Sequence, residues 1–250
     1  MCRLLAYASR TPTSLTELLG AGELAGFTEL SKIHCDGWGL AWATDDGVDT
    51  IRVPDPAHSS PEFAQASQAH RADLASVHVR WATDDLAIDL ANTHPFTDGR
   101  MAFAHNGALR PADSLDALVP PELQALRDGT TDSERYFLAV LAEARRSDPA
   151  TGLATVVTAI VDGGYDYTSL NAILVTDREL IAVNVFRPEA EEEEGPEYYR
   201  LRYRVTPDSV VVTSSGWGDD WQTLENGQLL IVQRHTLEVE IRDVVPVPAR

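Results

Sequence analysis

The sequence has 250 residues, of which 44% are hydrophobic, so it can bury a sizeable core. Its formal net charge of -19, from 39 acidic and 20 basic residues, repels phosphate backbones and anionic membrane surfaces. No apolar run approaches the ~20 residues of a membrane-spanning helix, and no secretion signal opens the chain. These features predict a globular, cytoplasmic protein with neither nucleic acid nor a membrane as partner.

The first half of the chain alternates strand-like apolar runs with helical patterns. A strand at 2–7 is followed by a helix after Ser14, where Glu17 completes a capping-box spacing. Further strands are predicted at 38–42, 74–81 and 101–104, with a helix after Ser60 and Pro61. Strands and helices are therefore interleaved from the start.

The second half opens with two predicted helices, at 133–146 and 153–161, and continues with strands separated by turn-forming residues. These strands are expected at 170–176, 180–186, 199–205, 209–214, 227–233 and 237–242. An acidic segment near 187–197 reads as a solvated loop. The pattern predicts an α+β fold in which residues 1–250 form a single layered domain, with antiparallel sheets inside and helices outside.

Cys2 and Cys35 are the two cysteines of the sequence, and a reducing compartment would leave both as free thiols. Cys2 becomes the N-terminal residue if an aminopeptidase removes Met1. Its α-amino group, with an ordinary pKa of about 7.7 to 8.0, then lies beside the thiol and can accept its proton. Cys2 is thus a candidate nucleophile, and a small buried residue at the start of a strand is the alternative interpretation.

Four further residues suit the recognition of a glutamine-like substrate. The carboxamide of Asn106 and the backbone N–H of Gly107 can converge on an oxyanion, although Asn-Gly is also a common turn. Arg80 can bind a carboxylate in bidentate fashion, unless it forms an ordinary salt bridge. Asp132 can bind an ammonium group or cap the helix that follows it. With a thiol for the amide, this set predicts a site for glutamine or a γ-glutamyl compound.

Five stretches together resemble the signature of class II glutamine amidotransferases, a family of N-terminal nucleophile (Ntn) hydrolases: Met1-Cys2, Arg80-Trp81-Ala82-Thr83, His94-Pro95, His105-Asn106-Gly107 and Thr131-Asp132-Ser133-Glu134. The resemblance covers nearly the whole chain and implies a four-layer αββα sandwich of two antiparallel sheets. The start Met1-Cys2-Arg3 and the stretch Asp36-Gly37-Trp38-Gly39 are similar to small stand-alone members, among them the ergothioneine-pathway γ-glutamyl hydrolase.

The resemblance also implies a role for each matched residue. Cys2 would attack the side-chain amide, and Asn106 and Gly107 would form the oxyanion hole. Substrate binding would fall to four more: Arg80 and Thr83 for the α-carboxylate, Asp132 for the α-amine and His94 for the shape of the pocket. Attack would release ammonia and leave a γ-glutamyl thioester for water to cleave, with no metal or organic cofactor.

Other interpretations stay open. The chain could donate ammonia to a separate synthetase, but we expect hydrolysis, because the amidase motifs account for these residues without an acceptor domain. The protein partners that this leaves open are further copies of the chain, in a homo-oligomer, and an ammonia-acceptor subunit. The chain could instead be a catalytically silent protein that binds a γ-glutamyl metabolite, which retention of Met1 would favour. A metal site needs ligands at a recognised spacing, which the remaining candidates do not show: His34, Cys35, His94 and His105.

Overall fold

The computed structural model describes residues 2–82, 86–190, 197–215 and 220–245. Its α-helices are α1 (Leu15–Glu29), α2 (Pro61–Ala69), α3 (Pro121–Gln124), α4 (Asp132–Ala144) and α5 (Pro149–Asp162). Its strands are β1 (Arg3–Thr13), β2 (Trp38–Ala43), β3 (Val48–Val53), β4 (Ala72–Val79), β5 (Phe96–Thr97), β6 (Met101–Asn106), β7 (Leu109–Arg110), β8 (Asp166–Tyr167), β9 (Asn171–Thr176), β10 (Glu179–Asn184), β11 (Arg202–Val205), β12 (Ser209–Thr213), β13 (Gln222–Thr223), β14 (Gln228–Gln233) and β15 (Val239–Asp243). Within these described ranges no helix is both long and apolar enough to cross a bilayer. Most of the predicted acidic segment, 191–196, lies outside them.

The predicted helices form, and local capping explains where they start. The Ser14 hydroxyl accepts from Glu17 N at 3.2 Å, and the Glu17 carboxylate accepts from Ser14 N at 3.3 Å, which confirms the capping box. Helix α5 begins four residues earlier than predicted, at Pro149, because Asp148 caps it and proline suits the first helical position. The hydrophobic periodicity begins only at Leu153, so it gives no sign of this first turn.

The predicted strands form as well, and the structure adds strands that the pattern did not reveal. Strand β3 carries mostly half-exposed residues in a mixture of polar and apolar side chains, and it lies at a sheet edge. Strands β5, β7, β8 and β13 have two residues each. Such short elements are defined by the partner they pair with, so their own sequences carry little signal.

Two antiparallel sheets stack face to face. One has seven strands in the order β13-β11-β12-β1-β4-β2-β3, and the other has six in the order β15-β14-β10-β9-β6-β5. Helix α1 packs on the outer face of the first sheet, and α4 and α5 pack on the outer face of the second. An apolar layer joins the two inner faces. The predicted αββα arrangement is therefore confirmed.

Side-chain alternation decides which residues enter the layer between the sheets. Leu4 and Ala6 of β1 belong to it, so Cys2, two residues before Leu4, lies on the same side. Ala102 and Ala104 of β6 belong to it from the other sheet, so Asn106 follows them on that face. The two sheets thus bring Cys2 and Asn106 to opposite walls of one interior layer.

His78 is a buried titratable group of this layer. It lies in β4 opposite Leu4 of β1 and Gly39 of β2, with 1% of its surface exposed. Burial, assisted by the charge of Arg80, lowers the pKa of His78 from 6.5 to about 3. The unfolded chain therefore binds a proton at His78 between these pH values that the folded chain does not.

Folding stability should fall as the pH drops below about 6.5, because the depressed pKa of His78 favours the unfolded state there. The contribution of this one residue amounts to about 2 kcal/mol at pH 5. Urea unfolding at pH 7 and pH 5 measures it. We expect the His78→Gln variant to lose less stability between the two pH values than the wild type does. The matched substitution of exposed His235→Gln should leave the difference unchanged, and an unaltered pH dependence in His78→Gln would contradict the assignment.

Candidate active site

Pairing between β1 and β4 places Cys2 against the end of the neighbouring strand. Arg3 is paired with Val79, so Cys2 meets the residues that follow Val79. The Cys2 sulfur accepts a hydrogen bond from Trp81 N at 3.4 Å and lies 3.6 Å from the Trp81 carbonyl oxygen. Burial raises the pKa of the Cys2 thiol, while the Trp81 N–H and the charge of Arg80 oppose that shift. The thiol therefore needs a base to become a nucleophile.

Arg80 is held as a buried cation beside that thiol. Its guanidinium donates to the carbonyl oxygens of Asp36 at 3.3 Å and Ala87 at 3.2 Å. Only 2% of the residue is exposed, and burial lowers its pKa, but arginine stays protonated near neutral pH. No carboxylate among the described residues forms an ion pair with Arg80. The sequence left an ordinary salt bridge as the alternative for Arg80, and the described part of the chain shows none.

Asp36 fixes the stretch that carries Arg80 and Trp81. Its backbone N–H donates to the Arg80 carbonyl at 3.0 Å, and its carboxylate accepts from Ala82 N at 2.8 Å. Gly37 continues the clamp, because its carbonyl accepts from Arg80 N at 2.7 Å. The sequence singled out the Asp36-Gly37-Trp38-Gly39 stretch but gave Asp36 no role. Its role is to hold the 80–82 backbone against Cys2.

Asp132 begins α4 without capping it. The cap is Thr131, whose hydroxyl accepts from Glu134 N at 3.1 Å, so the Asp132 carboxylate is free to turn into the protein. One of its oxygens accepts from Leu109 N at 2.6 Å. The other lies 3.5 Å from the Ser133 hydroxyl. Asp132 is buried and forms no ion pair with any cation of the described residues.

His105 is a hydrogen-bonded structural histidine. Its Nε2 lies 2.9 Å from the Ser169 carbonyl, which can only accept, so Nε2 carries the proton. Its Nδ1 then accepts from the Ser133 hydroxyl at 2.9 Å. Burial lowers the pKa of His105, and Asp132 opposes the shift. Because Ser133 gives its proton to His105, one oxygen of Asp132 is left without a strong donor.

Asn106 and Gly107 end β6 in a bend that leads to β7, which pairs with β8 and not with β6. The Asn-Gly pair is therefore not a hairpin turn. Asn106 is fully buried, yet neither its carboxamide nitrogen nor its oxygen has a hydrogen-bond partner among the described residues. A Cβ added at Gly107 would lie 1.9 Å from the Ser169 carbonyl oxygen, so only glycine fits there.

His94 packs inside the protein beside the site. Its ring lies 4.3 Å from that of His78 and 4.6 Å from that of Phe96, centre to centre. Burial and the neighbouring positive groups keep the pKa of His94 well below its usual value, so the ring is neutral. Its carbonyl oxygen would lie 2.0 Å from a Cβ at Gly39, which explains the glycine in β2.

One cavity joins most of the predicted site residues. Cys2, Arg80, His94, Gly107 and Asp132 all line it. Asn106 adjoins Gly107 but does not line the cavity, and Thr83 falls outside the described residues. The cavity holds about 20 Å³, room for about one water molecule.

Other lining residues had no role in the sequence-based prediction: Trp81, Ala82, Leu86, His105, Thr131 and Ser133. Trp81 acts on Cys2 through its backbone, which no side-chain pattern reveals. Ser133 could have been suspected, since it belongs to the Thr131-Asp132-Ser133-Glu134 stretch. Across the described ranges no group of three or more His, Cys, Asp or Glu residues could hold a metal ion, so the four candidate ligands do not assemble.

Several curated proteins and solved structures are similar to this chain. The chain is 27% identical to the gamma-glutamyl-hercynylcysteine sulfoxide hydrolase of Mycolicibacterium smegmatis, over 86% of this chain and 82% of that protein. The chain spans only 46% of a protein named putative glutamine amidotransferase from Haemophilus influenzae, at 34% identity over 55% of this chain. It spans 63% of a protein named probable glutamine amidotransferase from Saccharomyces cerevisiae, at 25% identity over 86% of this chain.

The fold and the family agree. A solved glutamine aminotransferase class-II domain protein from Silicibacter pomeroyi superposes with a TM-score of 0.70 at 24% identity, covering 98% of this chain and all of that one. The model of the family described as class-II glutamine amidotransferases matches residues 1–186. The chain therefore belongs to the class II glutamine amidotransferases and is an enzyme of their Ntn type.

Proposed function

We propose that this enzyme hydrolyses the side-chain amide of glutamine or the γ-amide of a γ-glutamyl compound, with Cys2 as the nucleophile. The observation that carries the proposal is the pair of charges in the cavity. Arg80 is a buried cation and Asp132 a buried carboxylate, and neither has an ionic partner among the described residues. Burying such charges is costly unless something pairs with them.

An α-amino acid head group supplies both partners at once. Its carboxylate can take the Arg80 guanidinium, and its ammonium group can take the oxygen of Asp132 that lacks a strong donor. The same cavity is lined by Cys2, so a side chain of suitable length brings its amide to the sulfur. A glutamine or γ-glutamyl moiety combines that head group with an amide at its far end.

The chemical steps follow from the groups around Cys2. Removal of Met1 would put the α-amino group of Cys2 beside its own sulfur, where it supplies the base that the raised thiol pKa calls for. The sulfur attacks the γ-carbonyl carbon, and the unpartnered Asn106 carboxamide with the Gly107 N–H stabilises the oxyanion. The C–N bond breaks, the amine leaves with the thiol proton, and water cleaves the γ-glutamyl thioester to glutamate and free thiol.

The relative from Mycolicibacterium smegmatis supports the γ-glutamyl assignment by its name, which describes a hydrolase of a γ-glutamyl compound. It is similar over most of both chains, so the resemblance is not confined to a short motif. We favour hydrolysis over ammonia transfer for this reason.

Processed protein, with Cys2 verified as the first residue by intact mass, should release glutamate from glutamine or from a γ-glutamyl amide. A diazoketone analogue of glutamine should alkylate Cys2, as peptide mapping would report. Cys2→Ala should abolish both results, because it removes the attacking sulfur. Cys35→Ala, at an exposed cysteine, is the matched control and should retain activity. Absence of glutamate from both substrates, with Cys2 exposed, would refute the proposal.

Asn106→Ala should lower kcat by about 10² to 10³ with little loss of stability, because its carboxamide makes no hydrogen bond within the described protein. Steady-state kinetics and thermal unfolding measure the two effects.

The matched control is Asn171→Ala. Asn171 lies directly opposite Asn106 in the neighbouring strand, and its carboxamide is bonded to Tyr199 O and Val185 N. That variant should lose about 1 to 3 kcal/mol of stability. If Asn106→Ala lost as much stability and kept its kcat, Asn106 would be a structural residue.

Asp36→Asn should raise KM about tenfold and change kcat less, because it weakens the charge-assisted bond to Ala82 N that holds the Arg80 backbone in place. Kinetics on the best amide substrate tests this. Asp55→Asn, at an exposed aspartate just after β3, should leave both constants unaltered. Equal effects of the two substitutions would mean that Asp36 acts through general surface charge.

A further inference from the structure

The cavity around Cys2 is polar within and apolar at its mouth. Seven of its lining residues are buried, and all but Cys2 carry polar or charged side chains: Cys2, Arg80, His94, His105, Thr131, Asp132 and Ser133. The lining residues that reach solvent have no polar side chain: Trp81, Ala82, Leu86 and Gly107. Among the described residues, the polar side chains thus lie inside the cavity and the apolar ones lie at its opening.

The surroundings of the mouth extend its apolar character. The Trp81 ring is 41% exposed and packs edge-on against His34, 5.5 Å away between ring centres. Ile33, next to His34, is 60% exposed. The segment after Leu86 is tied to the site by the bond from Arg80 to the Ala87 carbonyl, and it exposes Ile88.

Two described carboxylates near this opening are bonded to backbone groups. The carboxylate of Asp36 is bonded to Ala82 N, and that of Asp89 accepts from Asn92 N at 2.8 Å. Solitary exposed apolar residues are ordinary on protein surfaces. Trp81, Ala82 and Leu86, however, line one cavity together with convergent polar groups, which is the usual composition of a ligand pocket.

The orientation of the substrate follows from the proposed function, on which this inference rests. The amino-acid head group is held inside by Arg80 and Asp132, and the amide carbon meets Cys2. The amine half of the amide therefore points outward through the mouth.

We propose that the amine released by this enzyme carries an apolar or aromatic group, which packs against Trp81 and Leu86. The preferred substrate class is then a γ-glutamyl amide of such an amine, and glutamine, whose leaving group is ammonia, gains nothing from these contacts. The bonds made and broken are unchanged: the C–S bond forms, the C–N bond breaks, and the amine leaves with the thiol proton.

Two γ-glutamyl amides separate binding at the mouth from leaving-group chemistry. The 2-phenylethylamide and the ethylamide release alkylamines of similar basicity, and only the first carries a ring. We expect kcat/KM for the phenylethylamide to exceed that for the ethylamide about tenfold or more in processed wild-type enzyme. The ratio is compared because the backbone of Trp81 also contacts Cys2. A disturbance of that contact would slow both amides alike and leave the ratio unchanged.

The variants Trp81→Ala and Leu86→Asn should each bring the ratio close to one. Ile241→Ala is the matched control, an apolar side chain of similar exposure (39%) on β15, and it should leave the ratio at its wild-type value. Two variants at the mouth are used so that a folding defect in one does not decide the outcome.

The possible results are distinct. A wild-type ratio near or below one, with the ethylamide or glutamine hydrolysed, overturns this inference and leaves the proposed function standing. A high ratio that survives both substitutions at the mouth also overturns it, because the preference then arises elsewhere. No hydrolysis of either amide or of glutamine would refute the proposed function and the inference together.

Discussion

The antiparallel pairing of β1 with β4 is the contact on which the site depends. It runs from Arg3 opposite Val79 to Ala8 opposite Leu74, in the interior of the seven-stranded sheet. Both faces of these strands are buried, so a slip of one residue would drive core side chains to the wrong face. The same slip would move Cys2 away from Arg80 and Trp81. The register that builds the core therefore also builds the site.

The site contains several features that are unfavourable for stability. Among the described residues, the buried carboxamide of Asn106 has no hydrogen-bond partner. The buried guanidinium of Arg80 and the buried carboxylate of Asp132 have no ionic partner there. Desolvating such groups destabilises a protein, and three large apolar clusters offset that cost. Sites that depart from the rules of stable packing are where function is expected.

Much of the fold could be predicted from local sequence, and the site only in part. Helix starts follow from single residues such as Ser14, and strands such as β6 follow from continuous apolar runs. The edge strand β3 was missed because its exposed, mixed composition depends on its pairing with β2. In the site, Arg80, Asp132 and Asn106 were named by the chemistry of their side chains, and their roles remain predictions. Asp36 and Trp81 act largely through hydrogen bonds to backbone groups or from them, which only tertiary structure creates.

Strand β1 lies in the middle of its sheet, and its two partners come from distant parts of the chain. β4 ends at Val79, whereas β12 begins only at Ser209. Because a nascent chain emerges from its N-terminus, one side of β1 stays uncovered until most of the protein has been synthesised. The sheet on both sides of β1, and with it the surroundings of Cys2, is therefore completed only late in synthesis.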